Sequence, residues 1–193
     1  MSEHKNEQGK IVVISGPSGV GKSTICREVI KRLDNSVLSV SLTTRAPGNG
    51  EADGQDYRFV SREEFRKRID QGLMLEYAEV FGNLYGTPED EVEKWYKAGK
   101  TVILEIDVQG GRQARKIYQD LIMIFVLPPS RKDLADRIGM RGRDDVESVE
   151  RRLGMADTEI AAAWQHYDHM VINDNLEQAV NDIVKIINQA QSR

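Results

Sequence analysis

The sequence predicts a doubly wound α/β fold, a parallel sheet wrapped by helices. Three observations predict it. Ile11-Val12-Val13-Ile14, the run from Thr101 to Asp107 and the run from Leu121 to Leu127 are nearly continuous in apolar residues, as strands buried on both faces are. Amphipathic segments accompany them, with apolar positions Ile25, Cys26, Val29, Ile30 and Leu33 in the first, and Leu176, Ala179, Val180, Ile183, Val184, Ile187 and Ala190 in the last. A glycine-rich turn joins the first strand to the first helix, and in such folds ligands gather at the carboxyl ends of the strands.

Taken in order, the first helix runs to about Leu33-Asp34-Asn35, and Val37 to Leu42 reads as the next strand. Thr43 to Gly54 is rich in turn formers and too polar for core. Tyr57-Arg58-Phe59-Val60 predicts a short strand. Ser61-Arg62-Glu63-Glu64 has the S-x-x-E capping pattern that opens a helix through Phe65 and Ile69. Leu73 to Val80 and Asn83 to Thr87 alternate as two strands around Phe81-Gly82. Pro88-Glu89-Asp90 suits the first turn of a helix ending near Lys97. After Leu127 the run is stopped by Pro128-Pro129, an arginine-dense, glycine-broken segment spans Arg131 to Arg152, and Met170-Val171-Ile172 is a last short strand. The expected organisation is one domain over 10–193. Its core is 10–40, 98–128 and 156–193, a mixed α+β insertion is 41–97, and a lid is 129–155.

Bulk composition narrows the partners. Lys and Arg total 27 and Asp and Glu total 31, giving 27 − 31 = −4, so no global positive field invites nucleic acid. The single cysteine, Cys26, sits on the apolar face of the first helix and reads as a small buried hydrophobe. His4, His166 and His169 have no metal-ligand spacing with it. No run has the length of a membrane span, and Met1 to Lys10 is polar without an apolar signal core. The expectation is a soluble cytoplasmic protein, monomer or homodimer, without nucleic-acid or membrane partners, whose residues 1–9 are disordered.

Chemistry enters at Gly16-Pro17-Ser18-Gly19-Val20-Gly21-Lys22-Ser23, which matches G-x-x-x-x-G-K-[ST] between a strand and a helix. Such glycines let backbone N–H groups approach phosphate oxygens, and the helix adds its free N–H groups and the positive end of its dipole. Lys22 would reach the β- and γ-phosphates and the Ser23 hydroxyl would stand on Mg²⁺. The fold is thus expected to be of the phosphate-loop NTPase type. A GTPase switch should carry N-K-x-D late in the chain, and the sequence has none. A kinase needs a second pocket for its acceptor, which the insertion can supply. Arg45, Tyr57 and Tyr85 can grip a phosphate, and Glu76 can accept from the adjacent N1–H and N2–H of guanine, a pair adenine lacks. Arg62, Arg66, Lys67 and Arg68 read as a solvated helix face.

Thr43-Thr44-Arg45-x-Pro47, Gly50-Glu51, Gly54-x-Asp56-Tyr57-x-Phe59-Val60-Ser61, Asn83-x-Tyr85-Gly86-Thr87, Ile106-Asp107-x-Gln109-Gly110, Pro128-Pro129-Ser130 and Arg141-Gly142 together closely resemble the guanylate kinases, from about Lys10 to Ile187. The resemblance implies ATP-dependent phosphorylation of GMP, and of dGMP, with the insertion as the nucleoside-monophosphate-binding region. It implies that Ser41, Glu76 and Thr87 hold guanine with Glu105 close by, and that Arg45, Tyr57 and Tyr85 hold the GMP phosphate. It implies that the loop from Gly16 through Lys22, Ser23 and Thr24 holds ATP and Mg²⁺, with Asp107 on the metal through water. Arg137, Arg141 and Arg152 would come from the lid, and Asn173 would lie at the adenine edge.

One position departs from the resemblance. The family pattern T-T-R-x-P-R has a second arginine where this chain has Gly48. A lost charge-assisted contact is worth about 1.5–3 kcal/mol, or one to two decades in GMP affinity. Arg58 or Arg62 are the neighbours able to replace it. A kinase for another nucleoside monophosphate or small phosphorylated acceptor, and a non-catalytic guanylate-kinase-like binding module, are the rival functions.

Overall fold

The computed structural model describes residues 9–80, 82–139 and 146–191. Its first sheet has five strands in the order β2-β7-β1-β8-β9, which are Ser36–Leu38, Thr101–Glu105, Lys10–Ser15, Ile122–Leu127 and His169–Ile172. Pairing is parallel between β1 and β8, β2 and β7, and β8 and β9. Out-of-order neighbours in a parallel sheet require crossover helices, and this is the doubly wound α/β fold. A second sheet has the order β4-β3-β6-β5, from Arg58–Phe59, Leu42–Thr43, Asn83–Pro88 and Met74–Val80.

The chain divides into two compact units, one of residues 1–11 and 35–121, the other of 12–34 and 122–193. In the second, α1 (Lys22–Arg32) buries Ile25, Cys26 and Val29. Helix α7 (Leu176–Gln191) buries Ala179, Val180, Ile183 and Ile187. A two-pronged ion pair from Arg32 to Glu177, at 2.7 and 3.0 Å, ties the two helices at the surface. Helices α5 (Arg131–Gly139) and α6 (Val146–His166) close on a small core of Leu134, Ile138, Leu153 and Ala156. Cys26 is fully buried.

In the first unit the four-stranded sheet packs Leu42, Met74 and Leu84 around Phe65 of α2 (Arg62–Asp70). The Ser61 side chain caps that helix by accepting from Glu64 N. Arg62, Arg66 and Lys67 are exposed. Helix α3 (Glu89–Lys97) begins after Pro88. The run predicted as one strand from Val37 to Leu42 is two. Ser36–Leu38 belongs to the parallel sheet, Ser39 N–H still donates to Ile103 O at 2.9 Å, and Leu42 then pairs with Gly86 in the other sheet. Gly9, expected to be disordered, donates its N–H to Tyr96 O at 2.8 Å, and Met1 to Gln8 lie outside the described residues. Among the described residues no helix is long and apolar enough to cross a membrane.

Candidate functional site

The phosphate loop lies between β1 and α1 because the backbone at Gly21 has φ 100, a conformation glycine adopts without the strain a Cβ brings. A Cβ there would also meet Asn173 Nδ2 at 2.8 Å. Lys22 Nζ curls back over the loop, donating to Gly16 O at 2.6 Å and Pro17 O at 3.2 Å. Val20 is buried, and its carbonyl accepts from Asn173 Nδ2 at 2.8 Å and from Arg137 at 3.4 Å. Arg137 also donates to Asn173 O at 3.0 Å, and Arg152 donates to Ser18 Oγ at 2.5 Å. Two arginines of the predicted lid therefore meet the loop. Ser23 and Thr24 are exposed at its helical end. Arg141 lies outside the described residues. Asn173, read as an adenine-edge residue, is buried and uses its amide to brace the loop.

The other cluster is built on the four-stranded sheet. Glu76 and Thr87 face one another across β5 and β6, and Thr87 Oγ1 donates to Glu76 Oε1 at 2.6 Å. Glu76 is 4% exposed. Burial pushes its carboxyl up to about 7, with the Asp107 charge adding to the rise and the Thr87 hydrogen bond opposing both. Two residues before Thr87, Tyr85 accepts from Arg45 Nε at 3.1 Å through its hydroxyl oxygen. The Tyr57 ring stands edge-on to Tyr85 at 5.8 Å and lies 5.5 Å beneath the Arg45 guanidinium. Burial first, then the Glu105 charge, pushes the Tyr57 hydroxyl up to about 12, so it remains a donor. Glu105 ends β7, and Asp107 caps α4 (Val108–Ile117) by accepting from Gly110 N at 2.7 Å. Ser41 precedes β3 and its carbonyl accepts from Arg58 N at 2.9 Å.

Comparison with known proteins gives these two clusters a family. A profile described as guanylate kinase matches residues 8–190. A guanylate kinase from Clostridium perfringens strain SM101 is 47% identical over 184 residues, covering 95% of this chain and 85% of that one. One from Thermotoga maritima is 45% identical over 186 residues, covering 96% and 89%. The crystal structure of guanylate kinase from Anaplasma phagocytophilum aligns with a TM-score of 0.82 at 34% identity, over 97% of this chain and 88% of that one. The chain belongs to the guanylate kinase family.

Within that family frame, two features escaped the sequence. Glu51, of the Gly50-Glu51 motif, accepts twice from Arg45 at 2.8 and 2.9 Å and once from Gly48 N at 2.6 Å. The Arg45 hydrogen bonds hold the Glu51 carboxyl below its ordinary range. An acid six residues from an arginine in a polar loop is a weak signal, since only the turn at Gly48 brings the two together. The other is Tyr167, whose hydroxyl donates to Ser15 Oγ at 2.6 Å where the phosphate loop begins. Neither neighbour named as a stand-in for the missing arginine joins Arg45. Arg58 pairs with Glu91, and Arg62 with Glu79 and Gly82 O.

Proposed function

We propose that this chain, as a guanylate kinase, moves the γ-phosphoryl group of ATP in line onto GMP or dGMP, its residues divided between two nucleotide grips. The loop from Gly16 to Thr24 holds ATP, with Lys22 on the β- and γ-phosphates and Arg137, Arg141 and Arg152 as the lid cations. Asn173 stands at the adenine edge while bracing the loop through Val20. Arg45, Tyr57 and Tyr85 hold the GMP phosphate. Glu76, Thr87, Ser41 and Glu105 hold guanine. The hard oxygen donors Ser23 and Asp107, the latter through water, suit Mg²⁺, which when bound offsets the charge of the ATP phosphates.

The acceptor phosphate has a second pKa near 6 and is mostly deprotonated at pH 7, so no residue is assigned as a general base. What the protein supplies is position and charge. Lys22 and the lid arginines stabilise negative charge spread over the transferred group, and Arg45 holds the acceptor oxygen in line. Excluding water keeps the phosphoryl group from hydrolysis. We place the protein in the cytoplasm as a monomer or homodimer.

The observation that carries the guanine assignment is Glu76, a carboxylate 4% exposed and already sharing one oxygen with a hydroxyl. Guanine offers such a group two parallel donors, and adenine offers none in that geometry. A coupled ATP-to-ADP assay with GMP, dGMP, AMP, UMP and CMP tests it. GMP and dGMP should be turned over far faster than the rest, and preference for any other base would overturn the assignment.

A further inference from the structure

The first turn of α4 touches the Glu76 side chain. A Cβ built on Gly110 would stand 2.5 Å from Glu76 Oε2, 3.0 Å from Cδ and 3.3 Å from Cγ, and these are its three nearest neighbours. The two backbones are held in place, so the Glu76 side chain is what must give. Gly110 is buried with its N–H on Asp107 Oδ1 at 2.7 Å, and the Glu76 backbone pairs with Thr87 in the strand ladder. Nor does the backbone call for glycine here. Gly110 is not among the residues of positive φ and lies inside a helix, where alanine is favoured by about 1 kcal/mol. What glycine supplies at this position is the absence of a side chain.

We propose that Gly110 is a specificity-determining position: its missing side chain leaves the space in which the Glu76 carboxylate stands to receive the guanine donors. This rests on Glu76 being the guanine acceptor. Any larger residue pushes that carboxylate back by about 1 Å to reach ordinary contact, and misplacements of that size cost on the order of 100-fold. Gly110 acts through Glu76 and is a positioning residue.

The test compares Gly110→Ala, Glu76→Asp, the double variant and Glu76→Gln in the full chain. Gly110→Ala should raise KM for GMP by about 10- to 100-fold and lower the GMP-over-AMP ratio in kcat/KM equally, with KM for ATP unchanged. Glu76→Asp draws the carboxyl back by one methylene, so the double variant should recover part of the GMP affinity that Gly110→Ala alone loses. An unchanged KM for GMP in Gly110→Ala, or a double variant whose losses simply add, would overturn the proposal. If Gly110→Ala does not fold, the double variant should fold, because the shorter carboxyl relieves the closest contact; failure of both would overturn it as well. Glu76→Gln separates the two levels. A raised KM there with a normal Gly110→Ala removes only the present inference, whereas a normal KM in Glu76→Gln removes the guanine assignment beneath it.

Discussion

Burial pushes the carboxyl of Glu76 up to about 7 from an ordinary 4.5. A folded-state pKa above the unfolded one favours the folded protein fully below about 4.5, and that contribution is lost as pH rises through about 7. Above pH 7 the free protein carries a buried negative charge costing up to about 3 kcal/mol relative to a neutral group. Glu76→Gln should therefore raise the melting temperature by about 5–10 °C at pH 8 and change it little at about pH 4, while raising KM for GMP. Equal shifts at both pH values in scanning calorimetry would mean that the charge is not the cause. At Gly48 the constraint is lighter, since a Cβ would meet Glu51 Oε2 at 3.0 Å and Arg45 at 3.6 Å. Gly48→Arg adds a cation beside Glu51, shares the acid that now occupies Arg45, and adds a contact to the acceptor phosphate. Steady-state kinetics should show KM for GMP lower by about ten-fold, the value of one charge-assisted bond. An unchanged KM would mean that Arg45 alone already saturates the phosphate.

At the scale of elements, segments whose burial writes its own pattern were legible. Thr101 to Asp107, Leu121 to Leu127 and Leu176 to Ala190 became β7, β8 and α7 with ends shifted by a residue or two. Helix α4 was not read, because Val108-Gln109-Gly110-Gly111 has two helix-disfavouring glycines and little apolar period. It forms because Asp107 caps it and because its buried face is made of small residues, Gly110, Gly111 and Ala114, beside Val108. Those glycines are packing surface, which single-residue propensity cannot express. The division of the Val37–Leu42 run was hidden for another reason. Alternation reports which side of a strand is buried and says nothing of which sheet it joins, and only the pairing of Leu42 with Gly86 decides that. The clusters at Arg45, Tyr57, Glu76, Tyr85 and the loop were legible as residue types, whereas Glu51 needed a fold to bring it to Arg45. Helix α6 was obscured by its arginines and by Gly154, which is exposed with open space around the position a Cβ would take. Gly154→Ala should accordingly stabilise the protein by up to about 1 kcal/mol and raise the melting temperature by about 2–4 °C. A lowered melting temperature would mean that the space is filled in solution.

For the molecule as a whole, the two compact units divide the proposed site residues as well as the chain. Lys22, Arg137, Arg152 and Asn173 belong to one, and Arg45, Tyr57, Glu76, Tyr85 and Thr87 to the other. The side chains proposed to hold GMP thus lie within one unit, and GMP should be recognised in the absence of ATP. A ligand that binds the native chain and not the unfolded one stabilises it by about 2.7 kcal/mol at a hundred times its Kd. For a chain of 193 residues that corresponds to a rise of about 5–11 °C in melting temperature. GMP alone should produce such a rise at pH 8. AMP at the same concentration should produce much less, because its phosphate still meets Arg45, Tyr57 and Tyr85 while its base leaves Glu76 without a donor pair. The difference between the two should shrink in Glu76→Gln, where the paired acceptor is lost and the phosphate grip, Ser41, Thr87 and Glu105 remain. Equal shifts for GMP and AMP in the unaltered protein would show that the phosphate carries the recognition, and that the buried carboxylate does not select the base.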